Sequence, residues 1–204
     1  VIGILAALRH RDATGVGQHV ELNLLSSALT GLVNHSSAWV AGGVVPYRMG
    51  NAHPSVFPYE PMPTADNDII IAAANDRQFR KLCEVLGIPD VADDPRFLRN
   101  ADRTANREEL RPLLTERLVT RGAVEWFDLL VEAGVPCGPI QTIDGGFAMA
   151  ERFGLEPVVE VGEGERAIPT TRHPIRFSET PVSYALPPPE LDEHGAEVRT
   201  WLST

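Results

Sequence analysis

A chain of 204 residues can bury a sizeable core and has room for one large domain or two small ones. Its 28 acidic residues outnumber 18 basic ones, and the formal net charge of −10 argues against a sequence-independent nucleic-acid binder, which needs a basic face to neutralise phosphates. Two cysteines, Cys83 and Cys137, are too few for a disulfide framework and fit a reducing, cytoplasmic setting. The apolar start meets charge at Arg9, too early to span a bilayer, and lacks the basic opening and cleavage site of a signal peptide, so no membrane association is expected. The chain opens inside a helical pattern without a methionine, as a piece of something longer would.

In chain order, Val1 to Asp12 reads as a helix with Ile4, Leu5 and Leu8 on one face. Thr14-Gly15-Val16-Gly17-Gln18 stops it, glycine supplying the left-handed backbone of a helix C-terminus. His19 to Leu25 alternates, with Val20, Leu22 and Leu24 on one side, and predicts a strand. Ser26 or Ser27 can cap a helix running to about Ala41. Gly42-Gly43 then opens a loop in which Pro46, Pro54 and Pro58 restrict the backbone and Gly50 frees it at one point.

After the turn Thr64 to Asp68, the run Ile69-Ile70-Ile71-Ala72-Ala73-Ala74 predicts a strand covered on both faces. Asn75-Asp76 ends it and can cap a helix from Arg77 to Leu86. The chain stays mostly helical to about Ala133, with Asn106 and Glu109 spaced as a capping box and Leu110, Leu114 and Leu118 on one stripe. Pro112 inside that stripe should kink the helix or delay its start. A helix from Ala123 to Ala133 sets Phe127, Leu130 and Val131 on one face and ends at Gly134 and Pro136. Val158 to Val161 and Glu165 to Ile168, joined by Gly162-Glu163-Gly164, predict a hairpin. An extended proline-rich strip and a short helix from Ala196 to Leu202 close the chain, and composition shifts mark three pieces, 1–45, 46–140 and 141–204.

Candidate chemistry gathers in the loop and at the strand end. Gly50 lets backbone approach a ligand, and exposed N–H groups beside it could stabilise an oxyanion; the plainer reading is a turn in a rigid connector. Asn51 and Tyr59 add polar groups, and His53 is either a donor to a carboxylate or phosphate or a structural ring bonded to backbone. Asn75 and Asp76 are an amide and a carboxylate at a strand end, with helix capping as the competing role. The histidines, at 10, 19, 35, 53, 173 and 194, show no ligand spacing, so no metal site is expected. Nothing marks a base beside Cys137, which reads as a small buried residue. Trp39, Trp126 and Trp201 read as packing residues, and Glu160, Glu163 and Glu165 as a solvated hairpin face.

Several motifs carry a family resemblance: Gly50-Asn51-x-His53-Pro54, Pro58-Tyr59, Thr64-x-Asp66, Asn75-Asp76-Arg77-Gln78-Phe79 and Leu86-Gly87-x-Pro89. Further ones are Ile2-Gly3-Ile4-Leu5-Ala6-Ala7-Leu8, Asp94-Pro95-Arg96-Phe97, Ala133-Gly134-Val135-Pro136-x-Gly138-Pro139 and the tail Pro187-Pro188-Pro189 with Glu193-His194. Together they resemble the class III CoA-transferases of the formyl-CoA and carnitine-CoA type, over nearly the whole chain.

The resemblance implies an α/β fold: part of a nucleotide-binding-like large domain plus a small α+β domain, as in interlocked-dimer class III enzymes. Residues 1–45 would end the first half of the large domain, 46–140 hold the linker and small domain, and 141–204 return to the large domain. It implies CoA transfer between an acyl-CoA thioester and a carboxylic acid, through a mixed anhydride on an Asp expected just upstream of Val1. Gly50, Asn51, His53, Tyr59, Asn75 and Asp76 would then border the substrates, with coenzyme A entering as a thioester substrate and no permanent cofactor. The partner would be a second copy or a chain supplying the N-terminal half. Acyl-CoA racemases of the same superfamily carry a Glu at the place of Asp76, which keeps a racemase open, and so does a non-catalytic fragment that folds only with a partner.

Overall fold

The computed structural model describes residues 1–203, and the chain divides into two compact units, Val1–Pro54 and Ser55–Thr204.

The first unit is helical: α1 Ile2–Thr14, α2 Leu24–Gly31 and α3 Asn34–Gly42. Gly15 ends α1 in the left-handed conformation, φ 74°, its N–H donating to the Arg11 carbonyl at 2.7 Å. The strand expected over His19 to Leu25 does not form. Alternation describes a half-buried strand, but a strand also needs a neighbour to pair with, and no described strand pairs with this segment. Asn23 instead caps α2, its Oδ1 accepting the Ser26 N–H at 2.8 Å. The single helix expected to Ala41 is two, because Val33 sits at φ 43°, a conformation a β-branched residue rarely takes and a helix cannot continue through. No residue of α1, α2 or α3 is buried.

The second unit is built on an antiparallel sheet of β1 Tyr59–Pro63, β2 Asp68–Ala72 and β3 Cys137–Pro139, with β2 central. Ile69 and Ile71 are fully buried while Ile70 is 37% exposed, so β2 is covered on one face, not two. Glu60 and Met62 of β1 share the covered face, opposite Ile71 and Ile69. On it pack α4 Asp76–Val85, α6 Arg107–Leu118 and α7 Ala123–Glu132, linked through a 3₁₀ turn at Pro89–Asp93 and the short α5 Asn100–Ala105. The stripe Leu110, Leu114 and Leu118 is fully buried, and α6 starts at Arg107, undelayed by Pro112, which stands exposed on its outer side.

A capping box forms at α4. Asn75 Oδ1 accepts the Gln78 N–H at 2.9 Å, and Gln78 Oε1 accepts the Asn75 N–H at 3.3 Å. The box expected at Asn106 and Glu109 does not form, because both side chains are drawn to the preceding corner. Asn106 Nδ2 donates to the carbonyls of Arg96 and Asp102, and Glu109 pairs with Arg96 at 2.6 Å. On α7 the buried face is Ala123, Trp126 and Leu130, while Val131 is 50% exposed, so the expected face is rotated toward Trp126.

The β1–β2 turn is stitched to the start of α7. Asp66 Oδ1 accepts N–H groups from Ala123 at 2.8 Å and Asn67 at 2.7 Å, and the Thr64 hydroxyl at 3.0 Å. Gly122, the α7 N-cap, has no side chain to cap the helix, and a Cβ there would lie 2.5 Å from Asp66 Oδ2. A carboxylate from another turn thus caps α7, and glycine makes room for it. These bonds, that from Ala123 first, hold the Asp66 carboxyl below its usual value of 3.8. The group therefore stabilises the fold above about pH 4, and that contribution disappears as pH falls through the depressed folded value. An acid titration of thermal stability should show the wild type ahead of Asp66→Asn at pH 6, with the gap closing below pH 4. Gly122→Ala should reproduce the neutral-pH loss and speed exchange of the Ala123 amide proton.

Beyond the sheet, α8 Ile143–Arg152 is tied to α7 by an Arg152–Asp128 ion pair at 2.6 Å and by Phe153 against Phe127, ring centres 6.0 Å apart. The expected hairpin is present as β4 Val158–Val161 and β5 Ile168–Thr171. Its second strand lies later than expected because Gly164–Arg166 winds into a 3₁₀ turn. The tail folds back, with Glu193 pairing to Arg166 at 2.5 Å, which draws the Glu193 carboxyl down to about 2. The last helix is α9 Gly195–Leu202. Every buried apolar side chain among the described residues falls between Phe57 and Val135. No described helix is long and apolar enough to cross a membrane.

Candidate functional site

The strand-to-helix corner after β2 concentrates the polar groups. Asp76, first residue of α4, directs Oδ1 to Arg103 Nη2 at 2.9 Å while its side chain stays 60% exposed. Arg103 is fully buried. Its Nε donates to the Phe57 carbonyl at 3.1 Å, Nη1 donates to those of Phe97 at 3.0 Å and Leu98 at 3.2 Å, and the guanidinium lies 4.5 Å over the Phe79 ring. A buried guanidinium is tolerable only with such partners, and Asp76 supplies the countercharge. Asn75 is engaged in the capping box through Oδ1. This geometry favours capping and charge compensation as the roles of Asn75 and Asp76, and leaves one Asp76 oxygen uncommitted to Arg103.

Asn100 fixes the chain just ahead of β1, donating to the Ser55 carbonyl at 2.9 Å and accepting the Phe57 N–H at 3.3 Å, next to the cis Phe57–Pro58 bond. Behind it, Glu60 is buried and meets Arg111 Nε at 2.6 Å and Nη2 at 3.3 Å; Arg111 also pairs with Glu108 at 2.6 Å.

Gly50, Asn51 and His53 belong to the first unit; Tyr59, Asn75 and Asp76 belong to the second. Gly50 occupies φ 63° in a turn closed by the Ala52 N–H on the Met49 carbonyl at 3.4 Å, and Asn51 beside it is exposed. His53 is half-buried, and Tyr59, 40% exposed, faces Ala72 across the ladder. Sequence reasoning passed over Arg103, Arg111 and Glu60. The available signal was weak: Arg103 stands seven residues ahead of Leu110, at a place where the apolar stripe would continue.

Neither cysteine is poised as a nucleophile. Burial pushes the Cys83 thiol up to about 12 and the Cys137 thiol up to about 11, far from the thiolate form at neutral pH. Cys137 is half-buried in β3, its Sγ 3.9 Å from the Phe127 carbonyl. Trp126 is buried as expected of a packing residue, whereas Trp39 and Trp201 are 56% and 71% exposed. Among the described residues no group of three or more His, Cys, Asp or Glu is arranged to hold a metal ion.

A match to CoA-transferase family III extends over residues 1–195. The chain belongs to that family. The succinate–glutarate CoA-transferase of Agrobacterium fabrum is 39% identical over 100% of this chain and 51% of its own length. The acetyl-CoA:oxalate CoA-transferase of Acetobacter aceti is 32% identical over 97% of this chain and 50% of its own length. A CAIB/BAIF family protein from Brucella suis, solved by crystallography, superposes with a TM-score of 0.76 at 39% identity, covering 99% of this chain and 52% of that one. The family resemblance and the mixed helix-and-sheet fold expected from the sequence are thereby established. The chain spans about half the length of the relatives it matches.

Proposed function

We propose that this chain is part of a class III CoA-transferase that moves CoA between an acyl-CoA thioester and a carboxylic acid. The observation that carries the reading is the family match over residues 1–195, joined to relatives described as CoA-transferases acting on succinate and glutarate or on oxalate. An aspartate carboxylate outside these 204 residues attacks the thioester carbonyl carbon. The C–S bond breaks, CoA leaves as thiolate and a mixed anhydride remains. The thiolate then attacks the aspartyl carbonyl of that anhydride, releasing the first acid as its carboxylate and leaving an aspartyl-CoA thioester. The incoming carboxylate displaces CoA again to form a new anhydride, and a second thiolate attack, on its acyl carbonyl, yields the new acyl-CoA and frees the aspartate. Splitting one exchange into several acyl transfers is what a covalent nucleophile contributes.

In this reading Gly50, Asn51 and His53 lie on a loop bordering the reacting acyl group, where backbone N–H groups meet the developing oxyanion. Tyr59, Asn75 and Asp76 line the substrate side of the second unit, and the uncommitted Asp76 oxygen accepts from a substrate donor. A racemase reading would ask Asp76 to move a proton, and its engagement with Arg103 favours the anchoring role.

Assembly is part of the proposal. Helices α1, α2 and α3 bury nothing among the described residues, and large apolar side chains such as Ile2, Leu24, Val40 and Trp201 are exposed. Surfaces of this kind mark association. The complementary half of the transferase, or a second copy, covers them, and the assembled enzyme works in the cytoplasm.

CoA transfer from succinyl-CoA to glutarate, oxalate and a wider acid panel tests the reading, first with this chain alone and then with the product of its genomic upstream neighbour. Transfer in the mixture and none with either part is expected. Transfer by the chain alone would place the nucleophile within it, with Asp76 the first residue to replace.

A further inference from the structure

A cavity of about 430 Å³ opens between α8 and the end of the β4–β5 hairpin, within the second unit and apart from the Asp76 corner. Its apolar side is one face of α8, Ile143, Gly146, Phe147 and Ala150, at the spacing that brings side chains over one another on a helix. Leu155 and Pro174 face them. The wall is braced: the Arg172 N–H donates to the Pro157 carbonyl at 2.8 Å, and its Nε donates to the Glu156 carbonyl at 2.7 Å. The Arg152–Asp128 pair holds the far end of α8.

The polar end of the cavity has an excess of positive charge. Arg172 Nη2 and Arg176 Nη2 lie 3.6 and 3.4 Å from the same Glu156 oxygen, so two guanidiniums share one carboxylate. This occurs in a stretch, residues 141–204, where 11 acidic residues face 5 basic ones, so the local sign opposes its surroundings. A mostly apolar concavity with a few convergent charged groups at one end is the form of a small-molecule site.

We propose that this cavity binds an amphipathic monocarboxylate, its hydrocarbon part against the α8 face and its carboxylate bridging Arg172 and Arg176 in competition with Glu156. One excess positive charge suits one carboxylate, and the apolar wall offers nothing to a second. Such a ligand shares the chemical class of the acids a CoA-transferase handles, at a place that no step of the proposed transfer uses.

Titration calorimetry of the 204-residue chain with octanoate, octan-1-ol and succinate reads this directly and needs no transfer activity, so its outcome is independent of the function proposed above. Octanoate should bind saturably, octan-1-ol and succinate at least about tenfold more weakly, and Arg176→Ala should weaken octanoate about tenfold, the loss of one charge-assisted hydrogen bond. Gly146→Leu should abolish binding. A Cβ at Gly146 meets nothing within 4 Å, and leucine favours a helix over glycine, so this change fills the cavity without weakening α8. No saturable octanoate binding, equal binding of octan-1-ol, or unchanged binding by Gly146→Leu would each overturn the proposal. So would loss of octanoate binding once the complementary half is added, which would make the cavity a seat for polypeptide.

Discussion

Replacing Arg103 with methionine should lower the stability of the second unit by about 3–5 kcal/mol, seen as a fall in the urea midpoint followed through Trp126. Arg103 has no exposed surface, and methionine has no donors for the carbonyls of Phe57, Phe97 and Leu98 that it satisfies. Each stranded buried carbonyl costs about 1–3 kcal/mol, and relaxation recovers part of the sum. The stacking on Phe79 is lost as well. Asp76→Asn should cost less, about 1–2 kcal/mol, because the amide oxygen can still accept from Arg103 Nη2, the three carbonyls still bond the buried guanidinium, and the 60% exposed carboxylate is partly screened by water. A midpoint for Arg103→Met within 0.5 M of wild type would contradict the assignment of Arg103 as the residue joining β1, α4 and the Phe97 corner, as m is about 2 kcal/mol/M for a unit of this size.

Trp126→Ala should cost about 3–5 kcal/mol, whereas Val131→Ala five residues later should stay within about 0.5 kcal/mol. Trp126 is 3% exposed and fills the space between α7 and α6, and its Nε1–H donates to the Leu118 carbonyl at 2.7 Å, satisfying the end of α6. Arg121 lies 5.3 Å over its ring from the outer side. Alanine would leave a cavity and remove the shorter of the two hydrogen bonds to the Leu118 carbonyl, which keeps only the Arg121 N–H at 3.4 Å. Val131 is 50% exposed and touches solvent on its outer side. Denaturation followed by far-ultraviolet circular dichroism, which needs no tryptophan, separates the two; equal costs would mean that α7 presents Val131 inward after all.

These contrasts show where the sequence was legible. The Asn75 cap, the Leu110, Leu114 and Leu118 stripe and the Gly15 stop are local rules, satisfied by residues within one or two helical turns. The misreadings depend on partners distant in sequence. The alternation of His19 to Leu25 is a genuine strand pattern without a strand beside it, and the break at Val33 has only Gly31, the last residue of α2, to announce it. Asn106 and Glu109 have the spacing of a capping box, but Arg96, thirteen residues before Glu109, is the stronger attraction. Asp66 shows the same thing at the level of motif. Thr64-x-Asp66 carried the family resemblance, yet what the carboxylate does, capping a helix 57 residues away in a space left by Gly122, is visible only in three dimensions. At the candidate site, the residue types at Asn75 and Asp76 were legible and the buried arginine that engages Asp76 was not, because a charged residue buries only where tertiary partners supply its bonds.

The measurement that bears most directly on the proposed function is the location of the acylated residue. The chain and its complementary half are incubated with succinyl-CoA, quenched with hydroxylamine, which converts an activated aspartyl carbonyl to a stable hydroxamate, and mapped by peptide mass spectrometry. The proposal expects one aspartyl hydroxamate, on the complementary half, and none on this 204-residue chain. A hydroxamate on this chain, at Asp76 or any other carboxylate, would contradict it.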